Sequence, residues 1–161
     1  MNQITGFNPK KIAWRISVWW IYGLFIMIVT GLTTDIPKVF LWIPFLFAYA
    51  PIFLAIYSLF VAERIGYEYA VHNVEVMPAK LIREIVKTVF VNNAITFIIA
   101  QVLSAMMFAS PESLPWIPLA LLYYLSFYIV FALIYAYFTR LFLIGGCRKY
   151  LVGMNKTSSG S

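Results

Sequence analysis

The sequence predicts an all-α integral membrane protein, a bundle of four transmembrane helices. Of its 161 residues 63% are hydrophobic and only 11% are charged, whereas soluble domains carry about 25% charged residues. Four long apolar segments contain no charge, and the basic residues collect at alternate ends of these segments. In lipid every backbone N–H needs an internal partner, and four segments are too few for a barrel, so the segments are predicted to be helices.

The four predicted spans cover residues 16–32, 39–62, 88–109 and 116–139. Each is close to the roughly 20 residues that cross a bilayer core. The first run has basic residues before it but no small-residue cleavage site, so we expect it to be retained. No linker divides the chain, which predicts a single domain over residues 1–157, and the Ser/Gly-rich residues 158–161 are typical of an appended linker.

The basic residues predict the orientation. Eleven of the twelve lie before the first span, between the second and third, or after the fourth. The other two connections hold only Lys38, with Asp35 and Glu112. Because basic residues are retained on the cytoplasmic side, both termini and the 63–87 connection are predicted to be cytoplasmic. Small size and this asymmetry favour a bacterial inner membrane.

The second span carries a stripe of small residues and proline that recurs at intervals of three and four. Lipid tails are as apolar as leucine, so membrane helices associate where small residues let backbones approach. We expect this stripe to be a packing seam against a neighbouring helix. Its members are Pro44, Ala48, Pro51, Ala55, Ser58 and Ala62.

The third and fourth spans carry polar groups that predict a hydrogen-bonded network between them. If these spans form an antiparallel hairpin, matching depths pair Asn92 with Tyr135, and Gln101 with Ser126 or Tyr128. At the cytoplasmic rim, Glu63 is predicted to pair with Arg140. The predicted network comprises Asn92, Asn93, Thr96, Gln101, Ser126, Tyr128 and Tyr135.

The 63–87 connection is the most informative polar segment. Pro78 can begin a helix, and the residues after it alternate in a helical period between an apolar face and a charged one. This predicts a short amphipathic cytoplasmic helix that runs directly into the third span. It could seat on anionic lipid or dock a partner protein. The predicted docking residues are Tyr67, Tyr69, His72, Lys80, Arg83 and Lys87.

Reactive groups for catalysis are scarce. The chain has one histidine, one cysteine and one aspartate, and no charge lies within any span. The metal-like set Glu68, His72 and Glu75 would share one helix face, but three such residues in a polar turn are more often solvated. We therefore expect no enzyme activity, no cofactor and no nucleic acid binding.

These observations favour a non-catalytic membrane subunit that anchors or senses. It would assemble with itself, with a cytoplasmic protein or with a membrane protein, in addition to the lipid bilayer. The outline is similar to that of small membrane proteins of immunity, exclusion or phage defence, which is an analogy at the level of fold alone. The alternatives are a small oligomeric channel or carrier lined by the polar network, and a membrane enzyme with a metal at residues 68–75.

Overall fold

The computed structural model describes residues 7–32, 42–108 and 117–158, with side chains at 7–26, 52–100, 102–103, 118–119, 122, 125–126 and 128–155. The described residues form four helices and no strand, which confirms the all-helical prediction. The helices are α1 (Pro9–Leu32), α2 (Trp42–Asn73), α3 (Ala79–Phe108) and α4 (Ile117–Ser158). Asn8 caps α1, because its Oδ1 accepts a 3.0 Å hydrogen bond from the amide of Lys10.

The helices extend well beyond the predicted spans. The segment predicted as a cytoplasmic loop is mostly helical, since α2 continues to Asn73 and α3 begins at Ala79. The predicted amphipathic helix is thus the first part of α3. The fourth span was predicted to end at residue 139, but α4 runs on through Gly145 and Gly146 to Ser158. The cost of glycine in a helix is modest, about 1 kcal/mol each, and tertiary contacts offset it.

Residue contacts fix the arrangement of the four helices. Phe7 packs on Tyr69 and Trp19 on Tyr57, so α1 and α2 are antiparallel. In contrast, α2 and α4 run parallel, because Ser58 meets Tyr135 and Tyr67 meets Tyr150. The principal contacts join α1 to α2, α2 to α4, α4 to α3 and α3 to α1. The fold is therefore two antiparallel hairpins packed side by side, with α2 and α4 adjacent.

Closely packed side chains lie at the end of the bundle where the described basic residues collect, here called the basic end. The side chains there interlock from all four helices, and most of the fully buried large residues belong to this end. They are Ile16, Ile65, Tyr69, Ile85, Val89 and Leu143. Burial of each such side chain contributes roughly 1.5–3 kcal/mol, so this end is a folded core and not a set of loose helix tails.

Backbone contact between α2 and α4 depends on glycine. A Cβ added at Gly66 would overlap the backbone of Leu143, and one added at Gly146 would overlap the backbone of Glu63 and Tyr67. The thiol of Cys147 donates a 3.1 Å hydrogen bond to the carbonyl of Gly66 at this crossing. The two helices thus meet backbone to backbone, as small residues permit.

The described half of the predicted seam lies on this same face of α2. Ala55, Ser58 and Ala62 are all buried, and the small-residue spacing continues through Gly66 and Ala70. The side chains of Pro44, Ala48 and Pro51 lie outside the described residues.

A short connection joins α2 to α3. Val74 follows α2 with a φ of 55°, and its amide donates a 2.8 Å hydrogen bond to the carbonyl of Ala70. This is the left-handed conformation that often closes a helix, normally at glycine. A β-branched residue is strained there, so the surrounding core must hold the connection in place.

Among the residues with described side chains, one helical stretch is long and apolar enough to cross a membrane. It is Tyr128–Asn155, of 28 residues, and it overlaps the end of the predicted fourth span.

Candidate functional site

The predicted metal group is dispersed. The carboxylate of Glu68 lies 3.7 Å from Arg15 and 3.2 Å from Arg64. His72 directs Nδ1 to the backbone carbonyl of Glu68 at 2.7 Å, and Glu75 accepts a hydrogen bond from Tyr69. In the part of the chain that the structure describes, no three ligand side chains converge on one point. The helix that was expected to align the three residues ends at Asn73, before Glu75.

Tyr69 cannot serve as a docking residue, which corrects the sequence prediction. Its side chain is completely buried, and its ring packs edge-on against Phe7 at 5.1 Å. Its hydroxyl donates a 3.2 Å hydrogen bond to Oε1 of Glu75. Burial raises the pKa of Tyr69 to about 12, and both the hydrogen bond and the charge of Glu75 act in the same direction. The residue is a structural anchor between α1, α2 and the connection.

This raised pKa predicts a stability change at alkaline pH. An unfolded tyrosine ionises near pH 10, so the favourable contribution of Tyr69 is fully present below pH 10 and is lost as the pH rises through about 12. Tyr69→Phe removes the hydroxyl and should lower the free energy of unfolding by about 1 kcal/mol at neutral pH. Chemical unfolding in detergent, followed between pH 8 and 12, should show the two proteins converging. A constant difference between them would contradict this assignment.

The remaining docking residues do not form one surface. Tyr67 is exposed and packs on Tyr150 of α4, while His72 lies against Phe7 near α1. Lys80, Arg83 and Lys87 are exposed on α3. Sequence analysis grouped these residues because they are close along the chain. The packing of α4 between α2 and α3 assigns them to different faces.

The face around Tyr67 carries an apolar stripe that the sequence analysis did not identify. Tyr67 and Val71 are 42% and 40% exposed and lie four residues apart on α2, one turn of one helix face. Val74, 58% exposed, follows them in the connection after α2 ends. The helical spacing of these apolar residues could have revealed the stripe from the sequence. It was missed because the segment was interpreted as a loop.

On one side of the basic end, Glu63 and Glu68 form ion pairs with basic side chains. Glu68 pairs with Arg15 and Arg64, and Glu63 pairs with Lys149 at 3.3 Å. The predicted partner of Glu63 was Arg140, which is wrong because α4 stays helical beyond that residue and brings Lys149 to Glu63.

The opposite side, between α3 and α4, contains a groove of about 590 Å³. Its floor is apolar, with Val86, Phe90, Ala136 and Ile144 among the lining residues. Four cations stand along it, and none forms an ion pair with a described carboxylate. They are Arg83, Lys87, Arg140 and Arg148.

The predicted polar network has different partners. Tyr135 hydrogen-bonds to Ser58 of α2 and not to Asn92. Thr96 and Ser126 donate to carbonyls of their own helices, at 2.8 Å and 2.9 Å. The side chain of Gln101 lies outside the described residues. Tyr135 reaches α2 because α4 packs there as well as on α3.

Two buried groups of the predicted network have no hydrogen-bond partner among the described residues, Oδ1 of Asn93 and the hydroxyl of Tyr128. Tyr128 stacks on Phe97 with ring centroids 4.3 Å apart. The described members of the predicted network are therefore not joined to one another by side-chain hydrogen bonds.

Compared with known proteins, the chain matches no family model, and neither a curated protein nor a solved structure shows significant similarity to it. The class of protein that can be stated is an all-helical one with a stretch able to cross a membrane.

Proposed function

We propose that the chain is a non-catalytic four-span subunit of a bacterial inner membrane, with both termini in the cytoplasm, that presents a folded cytoplasmic end to a soluble partner protein. Outward-facing side chains support the membrane placement. Phe25, Phe53, Ile98 and Leu133, one from each helix, are 63%, 63%, 50% and 60% exposed. Water disfavours such a girdle of large apolar side chains, and lipid solvates it.

The single observation that carries the docking proposal is the exposed stripe Tyr67–Val71–Val74. At 1.5 Å per residue, Val71 lies about 13.5 Å beyond the end of the predicted second span, and Val74 follows the end of α2. The headgroup region on each side of a bilayer is only ~5–8 Å thick. Lipid therefore cannot cover the stripe at Val71 and Val74, and water contact there is unfavourable. A partner protein with an apolar helix face fits its spacing.

The stripe is held on a rigid support. The glycine contacts of α2 with α4 and the Glu63–Lys149 ion pair fix its backbone, and Tyr150 fixes the ring of Tyr67. A surface ordered before binding loses little conformational entropy when a partner arrives. This favours a docking role over a flexible tether.

A photocrosslinking experiment tests the proposal. With p-benzoyl-phenylalanine at position 67, illumination of native membranes should yield one stoichiometric adduct with a soluble protein. Val71→Asp should weaken capture of that protein at least tenfold, because it places a charge in the apolar contact. Val152→Asp is the matched control, since Val152 is 55% exposed and lies two residues beyond Tyr150, on the opposite side of α4.

An adduct formed only with a second copy of the chain would replace the soluble partner with a homo-oligomer. Equal capture by both variants would remove the stripe from the interface. Release of the protein from membranes by alkaline carbonate would contradict the membrane placement itself.

A further inference from the structure

The α3–α4 groove has a polarity gradient along its length. Lys87 and Arg140 stand at the cytoplasmic borders of the predicted third and fourth spans, and both line the groove. Phe90, Leu133 and Ala136 line it on the membrane side of those borders. Arg83 and Arg148 continue it outward, toward the α2–α3 connection. An apolar half thus lies at acyl-chain depth, Lys87 and Arg140 lie at headgroup depth, and Arg83 and Arg148 lie farther from the membrane.

No described carboxylate forms an ion pair with the cations of this groove. Arg15, Arg64 and Lys149 all pair with glutamates on the other side of the bundle. The carboxylate nearest in sequence to the groove cations is Glu84, which is exposed on α3 and forms no described ion pair. Arg140 and Arg148 of α4 carry planar guanidinium groups, whose paired N–H donors can bind two phosphate oxygens at once.

We infer that this groove is a binding site for an anionic phospholipid. The phosphate would lie between Lys87 and Arg140, and an acyl chain would follow Phe90, Leu133 and Ala136. Arg83 and Arg148, farther from the membrane, would add long-range attraction for the negative headgroup. The chemistry fits a membrane lipid and not a free anion, because a free phosphate would leave the apolar half uncovered. The volume of about 590 Å³ falls within the roughly 300–1,000 Å³ of small-ligand sites. Basic pockets between membrane helices on the cytoplasmic side have this chemistry. The inference rests on the proposed membrane placement.

The test uses the full chain in nanodiscs that contain phosphatidylcholine with 10–30% phosphatidylglycerol or cardiolipin, followed by native mass spectrometry of retained lipid. The expected result is selective retention of the anionic lipid. The double variant Arg140→Gln with Arg148→Gln should weaken that retention at least tenfold. The control Arg64→Gln with Lys149→Gln removes the same net charge from the paired side and should leave retention within a factor of about two.

A second variant separates the acyl chain from the headgroup. Ala136→Phe fills the apolar half without changing charge and should reduce retention of phosphatidylglycerol. Inorganic phosphate at millimolar concentration should not compete. Equal losses in the two charge variants would overturn the inference, since they would indicate a general attraction of the basic end to the membrane. Competition by phosphate alone would overturn it in favour of a free anion.

Two further outcomes are distinguishable. If Arg140→Gln with Arg148→Gln abolished capture of the cytoplasmic partner and left lipid retention intact, the groove would be a protein site and the lipid inference would be wrong. If the protein left membranes in alkaline carbonate, the membrane placement would fail and the lipid inference would fail with it. Loss of lipid selectivity in a protein that stays in the membrane overturns the lipid site alone.

Discussion

Gly146→Ala is expected to disrupt the basic end of the bundle. The new Cβ would overlap the carbonyl of Glu63 and crowd the amide of Tyr67. Both are backbone atoms, so no rotamer change relieves the clash and α2 must move away from α4. Overpacking of a core usually costs about 1–3 kcal/mol, and a clash with backbone should reach or exceed the upper end. Thermal unfolding in detergent, followed by circular dichroism and gel filtration, measures the loss.

The neighbouring glycine is the matched control. A Cβ at Gly145 meets nothing within 4 Å, and alanine is preferred over glycine in a helix by roughly 0.5–1 kcal/mol. Gly145→Ala should therefore stabilise the protein slightly. If the two substitutions had equal effects, the close crossing of α2 and α4 would be wrong. Gly66→Ala should behave like Gly146→Ala, because its Cβ would overlap the carbonyl of Leu143.

Tyr69→Ala is expected to be the most costly truncation in the core at the basic end. The ring is fully buried and packs on Phe7, so its removal leaves a cavity and also releases Glu75. Truncation of a buried aromatic residue costs about 3–5 kcal/mol. The measurement is the free energy of unfolding in detergent, with partner capture as a second readout.

Tyr67→Ala is the comparison, because Tyr67 lies two residues away on the exposed stripe. It should change the free energy of unfolding by less than about 1 kcal/mol and should weaken capture of the partner strongly. Tyr69→Ala should lower the free energy of unfolding more than Tyr67→Ala does. A larger stability loss for Tyr67→Ala would contradict the burial that distinguishes the two tyrosines.

The local features of the fold were readable from the sequence. Apolar runs predicted four helices because helix formation in each segment needs only that segment's own hydrogen bonds. Pro78 correctly indicated the start of α3, which begins at Ala79. The face of α2 that carries Ala55, Ser58 and Ala62 was also identifiable, since small residues repeat with the helical period and these three are buried.

The candidate sites were less predictable. The docking prediction combined Tyr67, which is exposed, with Tyr69, which is buried. Residues two positions apart on a helix point about 200° away from each other. Tyr69 was included because 63–73 was interpreted as a loop, in which a helical period cannot separate buried from exposed positions. The groove residues Arg140 and Arg148 were interpreted only as membrane-flanking charge, since nothing in the sequence of α4 indicates which helix lies beside it.

By itself, the sequence determined the helical class, the four segments and the concentration of basic charge at one end, because hydropathy and charge are summed along the chain. Only the tertiary structure decided that α2 lies beside α4, that Ser58 meets Tyr135 and that Glu63 meets Lys149. The physical reason is that a helix period specifies which face is buried and not which neighbour covers it. The neighbour of α2 is decided by the close contact of its backbone with that of α4, which Gly66 and Gly146 permit. This fit between two helix surfaces exists only once the two helices are packed together.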